Sequence, residues 1–241
     1  MPYADREEFQ SRTGQLLDLS LDLELRRELA RENREYMNAL VVGAQAAPGE
    51  DMLGMLVREH GLELSTDELT GIGELLLIAG HETTSNMLGL GTLALLRHPD
   101  QLALLRADPA ATAPAIEELL RWISIVHTGV VRTTTTEVEL AGTRIGPGEL
   151  VFCALPTANR DPALITDGDR LDVRRGAPGH LAFGHGVHHC LGAPLARIEM
   201  RIAFPALLRR FPRLALAVPY EELTFRAYHF VYGLHSLPVS W

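Results

Sequence analysis

Apolar residues recur at three- and four-residue spacing through the first two-fifths of the chain, with charged residues between them. That period predicts helices over residues 5–18 and 21–44. The stretch "QAAPGE" breaks the pattern, and "DMLGMLVREHG" predicts a short helix ending at Gly61. Ser65 and Glu68 stand three apart, the spacing of a capping box. With no proline before Pro99, the helix they open is expected to run over 65–97, ~50 Å at the usual rise. Its centre, "LLLIAG", is apolar nearly all round and is therefore expected to be buried. Pro99 and Pro109 punctuate two further helices, the second over 111–122.

From 130 to 155 the texture changes. "VVRTTTTEVELAG" and "TRIGPGELVFCAL" read as strands separated by glycine-containing turns. Residues 156–182 are irregular, 192–210 is helical, and the tail after Pro212 alternates as short strands. The fold class is mainly α with a minor β portion.

Composition narrows the field. A hydrophobic fraction of 46% allows a sizeable core, and a net charge of −9 argues against a general nucleic-acid binder. Two cysteines are too few for a disulfide framework, and no CxxC pair suggests structural zinc. "MPYADREEFQ" lacks the apolar core of a signal peptide, and no run nears the ~18 apolar residues of a membrane span. The expectation is a soluble cytoplasmic protein with neither nucleic acid nor membrane as partner.

Three stretches carry candidate chemistry. In "HLAFGHGVHHCLGAPLARIEM", Cys190 stands just before a helix, where free N–H groups and the positive dipole end stabilise a thiolate. Gly184 and Gly186 allow a tight turn and close approach of backbone to a flat ligand, with Phe183 beside it. The competing readings are an inert buried cysteine and a zinc site shared with His185, His188 or His189, whose crowded spacing suits a tetrahedral metal poorly. In "AGHETT", Gly80, Thr83 and Thr84 favour a local opening of the long helix, although such threonines usually just bond the preceding turn. In "EELLR", Glu118 and Arg121 share a helix face, a spacing that is most often solvated decoration.

Together these stretches resemble the cytochrome P-450 family of haem-thiolate monooxygenases. "FGHGVHHCLG" fits F-G-x-G-x-H-x-C-x-G at every fixed position, "AGHETT" fits A-G-x-[DE]-T-[ST], and "EELLR" fits ExxR. The resemblance implies haem b with Cys190 as axial thiolate, a ligand that favours O–O cleavage. It places Phe183, Gly184, Gly186 and Gly192 in the cysteine loop, 183–192. Ala79 and Gly80 lie against the cofactor, with His188 and Arg132 as propionate partners. Thr83 is then a hydrogen-bond partner of dioxygen and Glu82 a source of protons. Arg170, in "DGDRLD", completes the Glu118–Arg121 ion cluster, in a segment that lacks the family's usual proline and phenylalanine. Ala79, Thr128, Gly129, Val130, Val131, Phe230 and Val231 correspond to walls of the substrate pocket. Arg197 and Arg201, with the loop histidines, form a positive patch for an acidic ferredoxin.

The resemblance further implies that residues 1–241 are the C-terminal portion of one P-450 domain. The family's first sheet, several helices and the loop roofing the substrate are not in the sequence, and Met1 is expected not to be the natural beginning. The implied function is insertion of one oxygen atom of dioxygen into a hydrophobic organic substrate, with electrons from a ferredoxin, as in secondary metabolism. The alternatives are a non-catalytic auxiliary protein and an inactive remnant.

Overall fold

The computed structural model describes residues 3–241, so the expectation about Met1 lies outside the described residues. The chain divides into two compact units, Met1–Thr83 and Thr84–Trp241. No helix among the described residues is long and apolar enough to cross a membrane.

The first unit is helical. It holds α1 (Arg6–Leu16), α2 (Leu23–Ala46) and α3 (Met52–His60), each within a few residues of its patterned segment. Asp22 and Asp51 cap α2 and α3, accepting the N–H groups of Glu24 at 2.8 Å and Gly54 at 2.9 Å. The helix α4 (Thr66–Arg97) opens on the expected capping box. The Ser65 N–H donates to Glu68 Oε2 at 2.8 Å, and the Glu68 N–H donates to Ser65 Oγ at 3.3 Å. Phe9, Leu29, Met37, Val41 and Leu69 are buried in this unit.

The centre of α4 departs from expectation. Leu76, Leu77 and Ile78 are half-buried, while Leu75, Ala79 and Gly80 are exposed, Leu75 at 63%. The reason is one-sided cover. Met37 and Leu40 of α2 and Leu53 and Leu56 of α3 line an apolar cavity beside Leu76 and Leu77. A helix that is apolar all round needs partners on every side to be buried.

The helix α4 continues past Thr83 into the second unit and stops before Pro99, as chain geometry before a proline requires. There follow α5 (Pro99–Ala107), a 3-10 turn at Pro109–Ala111, and α6 (Thr112–Ile123). Strand β1 (Val130–Thr133) pairs antiparallel with β4 (Leu150–Cys153), Val130 opposite Cys153 and Arg132 opposite Val151. Between them β2 (Val138–Leu140) and β3 (Thr143–Ile145) form a hairpin. Its loop residues Ala141 and Gly142 both take left-handed φ, +48° and +78°, matching the twist of the flanking strands. A short α7 (Leu155–Ala158) interrupts the otherwise irregular segment before the cysteine loop. After that loop come α8 (Ala193–Arg210) and a tail whose β5 (Ala215–Leu216) pairs with β6 (Val239–Ser240). Leu95, Ile116, Leu119, Met200 and Phe204 are buried in this unit.

Candidate active site

The rigid base of the site is the ion cluster on α6. Glu118 and Arg121 are both fully buried, and their side chains meet in a two-pronged pair at 2.8 and 2.9 Å. Arg121 also donates to the carbonyls of Asn159 at 2.8 Å, Gly168 at 2.7 Å and Arg170 at 3.3 Å. All five guanidinium N–H groups are thereby used, which lets a buried cation persist. Gly168 is required at this point, because a Cβ there would sit 2.7 Å from the Arg160 carbonyl oxygen.

The third member of this cluster is Arg175, not Arg170. Arg175 Nε donates to Glu118 Oε1 at 3.2 Å, and the Asp172 N–H donates to the same oxygen at 3.0 Å. Arg170 is exposed and contributes only its carbonyl. The turn that sends the Arg170 N–H to the Asp167 carbonyl aims its own carbonyl at the two guanidiniums. The second turn of the segment, closed by Arg175 N–H to the Asp172 carbonyl, brings the chain back to the carboxylate.

At its C-terminus α6 ends on Ser124 in left-handed conformation, φ +47°. Asn159 ties that end to the approach to the cysteine loop. Its Nδ2 donates to Ser124 Oγ at 2.7 Å and its Oδ1 accepts the Leu181 N–H at 2.6 Å.

The cysteine loop turns on Gly184 and Gly186, whose φ values of +73° and +79° favour glycine. A Cβ on either would meet nothing within 4 Å, so backbone conformation rather than crowding demands these glycines. The loop folds back so that the Cys190 N–H donates to the Phe183 carbonyl at 2.9 Å. Cys190 is exposed and free, as is Cys153 on β4, so the inert buried cysteine is excluded. The sulfur precedes α8, which begins after Gly192 with no side-chain cap on its free N–H groups. His185, His188 and His189 are exposed.

Sequence reasoning missed a second acid of α6. Glu117, next to Glu118, receives His180 Nε2 at 3.0 Å and Arg197 of α8 through three bonds of 2.8, 3.1 and 2.9 Å. Arg201 follows at 3.9 Å. Burial pushes the Glu117 carboxyl up, but hydrogen bonds and charge from His180 and Arg197 hold it down at about 2. Arg197 also lies over the Phe183 ring, 4.6 Å from its centre. The expected positive patch is corrected accordingly: Arg197 is neutralised by Glu117, and Arg201 is the more exposed of the two. "EELLR" held the signal in its doubled glutamate, but which basic residue would reach Glu117 was not written locally.

The remaining predicted residues fall as follows. Thr83 is half-buried and its Oγ1 donates to the Ala79 carbonyl at 2.6 Å. The chain from Thr66 to Arg97 is α-helical throughout, so the expected local opening is absent. The Thr83 hydroxyl instead bonds one turn back along an intact helix. Glu82 is buried. Neighbouring Thr84, in the second unit, donates to Glu199 Oε2 of α8 at 3.1 Å. Arg132 is exposed on β1, its Nη1 donating to the Val131 carbonyl. Gly129 and Val231 are buried, Thr128 and Val130 half-buried, and Val131 and Phe230 exposed.

Among the described residues no group of three His, Cys, Asp or Glu side chains gathers where it could hold an ion. The loop thus offers a lone sulfur, a donor set that suits an iron whose in-plane ligands come from a porphyrin. The chain is strongly homologous to bacterial cytochromes P450 and has a cytochrome P450-like fold; that family implies haem b ligated by a cysteine thiolate. The family model described as Cytochrome P450 matches residues 106–216. Cytochrome P450 FAS1 of Rhodococcoides fascians is 51% identical over the whole chain, which covers 60% of that protein. Cytochrome P450-SU2 of Streptomyces griseolus is 48% identical, again over the whole chain and 59% of the relative. The crystal structure of CYP105P1 in complex with filipin I superposes with a TM-score of 0.96 at 41% identity, covering all of this chain and 61% of that one. The chain therefore spans about 60% of the length of the proteins it matches.

Proposed function

We propose that the chain carries the thiolate half of a haem-thiolate monooxygenase, which inserts one atom of dioxygen into a hydrophobic organic substrate. A ferredoxin is the proposed electron donor. The observation that supports this best is the exposed Cys190 sulfur at the start of α8, on a loop turned by two left-handed glycines and closed on the Phe183 carbonyl. Bound haem supplies dioxygen activation; the residues supply its setting. Cys190 would hold the iron, and the unobstructed Gly184 and Gly186 would let a flat macrocycle approach the backbone. His188 and Arg132 bind the propionates through exposed cationic or hydrogen-bonding tips. On the family resemblance, Thr83, whose Oγ1 donates to the Ala79 carbonyl, and Glu82 would be the residues that hold and resupply a proton for dioxygen. On the same resemblance, Thr128–Val131 and Phe230–Val231 of the second unit would line the substrate pocket. The Glu118–Arg121–Arg175 cluster holds the segment leading into the cysteine loop in register.

The test compares the two cysteines in haem-loaded protein, reduced and exposed to carbon monoxide. Cys190→Ala abolishes the thiolate-type spectrum and Cys153→Ala leaves it unchanged. Equal effects of the two substitutions would overturn the reading.

A further inference from the structure

Within the second unit, the C-terminal part of α4, the end of α6 and the tail line an open cavity of about 210 Å3. No aspartate or glutamate lines it, although the chain as a whole is acidic, at −9. Its walls instead carry Arg97, Arg160, His98 and His127.

One wall is a ladder of rings. The Arg97 guanidinium stands 3.7 Å from the centre of the Tyr220 ring, and Tyr220 meets Phe225 at 5.8 Å. Phe225 stacks on Tyr232 at 5.7 Å, and Tyr232 stacks on His127 at 4.3 Å. Leu90 and Leu93 of α4 add aliphatic surface to the lining.

The two arginines are not equivalent. Arg160 is committed, donating to the Trp122 carbonyl at 2.6 Å and pairing with Asp169 at 3.2 Å. Arg97, exposed at the end of α4, makes no ion pair among the described residues and stands against the Tyr220 ring. The histidines have each used one ring nitrogen on a carbonyl, His98 on Ala94 at 2.8 Å and His127 on Ile123 at 3.1 Å. Burial pushes the His127 imidazole below its ordinary value, and the charge of Arg160 acts in the same direction. Arg97 is thus the cation on these walls that no acid answers among the described residues.

We propose that this cavity binds a small planar aromatic carboxylate. Its ring lies against the aromatic ladder and the aliphatic surface, and its carboxylate is held by Arg97. Size supports one ring: a cavity of roughly 150 Å3 accepts benzene, leaving space here for a short acid arm. A guanidinium on an aromatic face is only weakly satisfied by it, and a carboxylate offers the stronger, two-pronged contact. The site is independent of the haem-thiolate reading and stands or falls without it.

The test uses labelled phenylacetate in equilibrium dialysis against the 241-residue chain, with Trp122 emission as a local reporter. Trp122 lines the cavity, whereas Trp241 packs on Phe211 and is not on its wall. Phenylacetate binds saturably and changes the emission, and Trp122→Phe removes the change while retaining binding. Arg97→Leu weakens binding about tenfold or more, the scale of a lost charged hydrogen bond, and Arg97→Lys restores part of it. Neutral 2-phenylethanol and non-aromatic cyclohexylacetate bind at least several-fold less well. Absence of saturable binding, indifference to Arg97→Leu, equal binding of phenylethanol, or an emission change that survives Trp122→Phe would each overturn the proposal.

Discussion

Thr83 and Glu117 show how differently two polar side chains can be constrained. The Thr83 hydroxyl is bonded to its own helix at Ala79, a contact a proton carrier must give up to act. Under the proposed function, Thr83→Ala retains haem but diverts reducing equivalents to peroxide or water, since a positioned donor is lost. The ratio of product formed to reductant consumed measures this, and an unchanged ratio would remove Thr83 from the proton path. Glu117 is held by His180, Arg197 and Arg201, and its folded value of about 2 lies below its ordinary 4.5. Its contribution to stability is thus fully present above pH 4.5 and is lost as pH falls towards 2. Melting temperatures across that interval should fall more steeply for the parent than for Glu117→Gln. Parallel curves would mean that the carboxylate titrates alike in both states.

At the level of elements, α6 is pinned by charge rather than by cap or propensity. Its two glutamates face different partners: Glu118 holds the irregular segment through Arg175, and Glu117 holds α8 through Arg197. Glu118→Ala leaves buried Arg121 without its carboxylate and should cost ~3–5 kcal/mol, the penalty for an uncompensated buried ion. Arg175→Ala should cost less, because its side chain is partly solvated and Arg121 still neutralises the acid. Arg170→Ala should be nearly neutral, since only its carbonyl is used. Denaturant titration of the three variants orders them. A larger loss for Arg170→Ala than for Arg175→Ala would contradict the geometry.

Across the whole molecule, apolar surface is the unusual quantity. Leu195, Ile198 and Ile202 recur along one face of α8 and are all exposed, as is Leu191 just before it. Water-exposed apolar area forgoes roughly 25 cal/mol per Å2, and a continuous stripe of this kind is expected to bind apolar dyes. Replacing Leu195, Ile198 and Ile202 together with glutamine should lower dye emission and leave helical circular dichroism unchanged. Undiminished emission would locate the sticky surface elsewhere, with Leu75 of α4 the next candidate.

The sequence by itself determined what depends on neighbours a few residues away. Helix period, the Ser65–Glu68 box, the proline stops and the glycine-turned cysteine loop are all encoded within a turn or two of chain, and each was legible there. In "EELLR" only the i, i+3 spacing of Glu118 and Arg121 was legible; their burial, and the role of Glu117, were not. Tertiary structure alone decided which distant group answers each of them. Arg175 rather than Arg170 reaches Glu118 because two successive turns set the direction of the side chains, a sum of backbone angles that no local pattern records. Arg197 is neutralised because α8 lies beside α6, not because of anything in "LARIEM". The partial cover of "LLLIAG" has the same reason: apolarity states what a helix can bury, whereas the number of faces covered is settled by which elements pack against it.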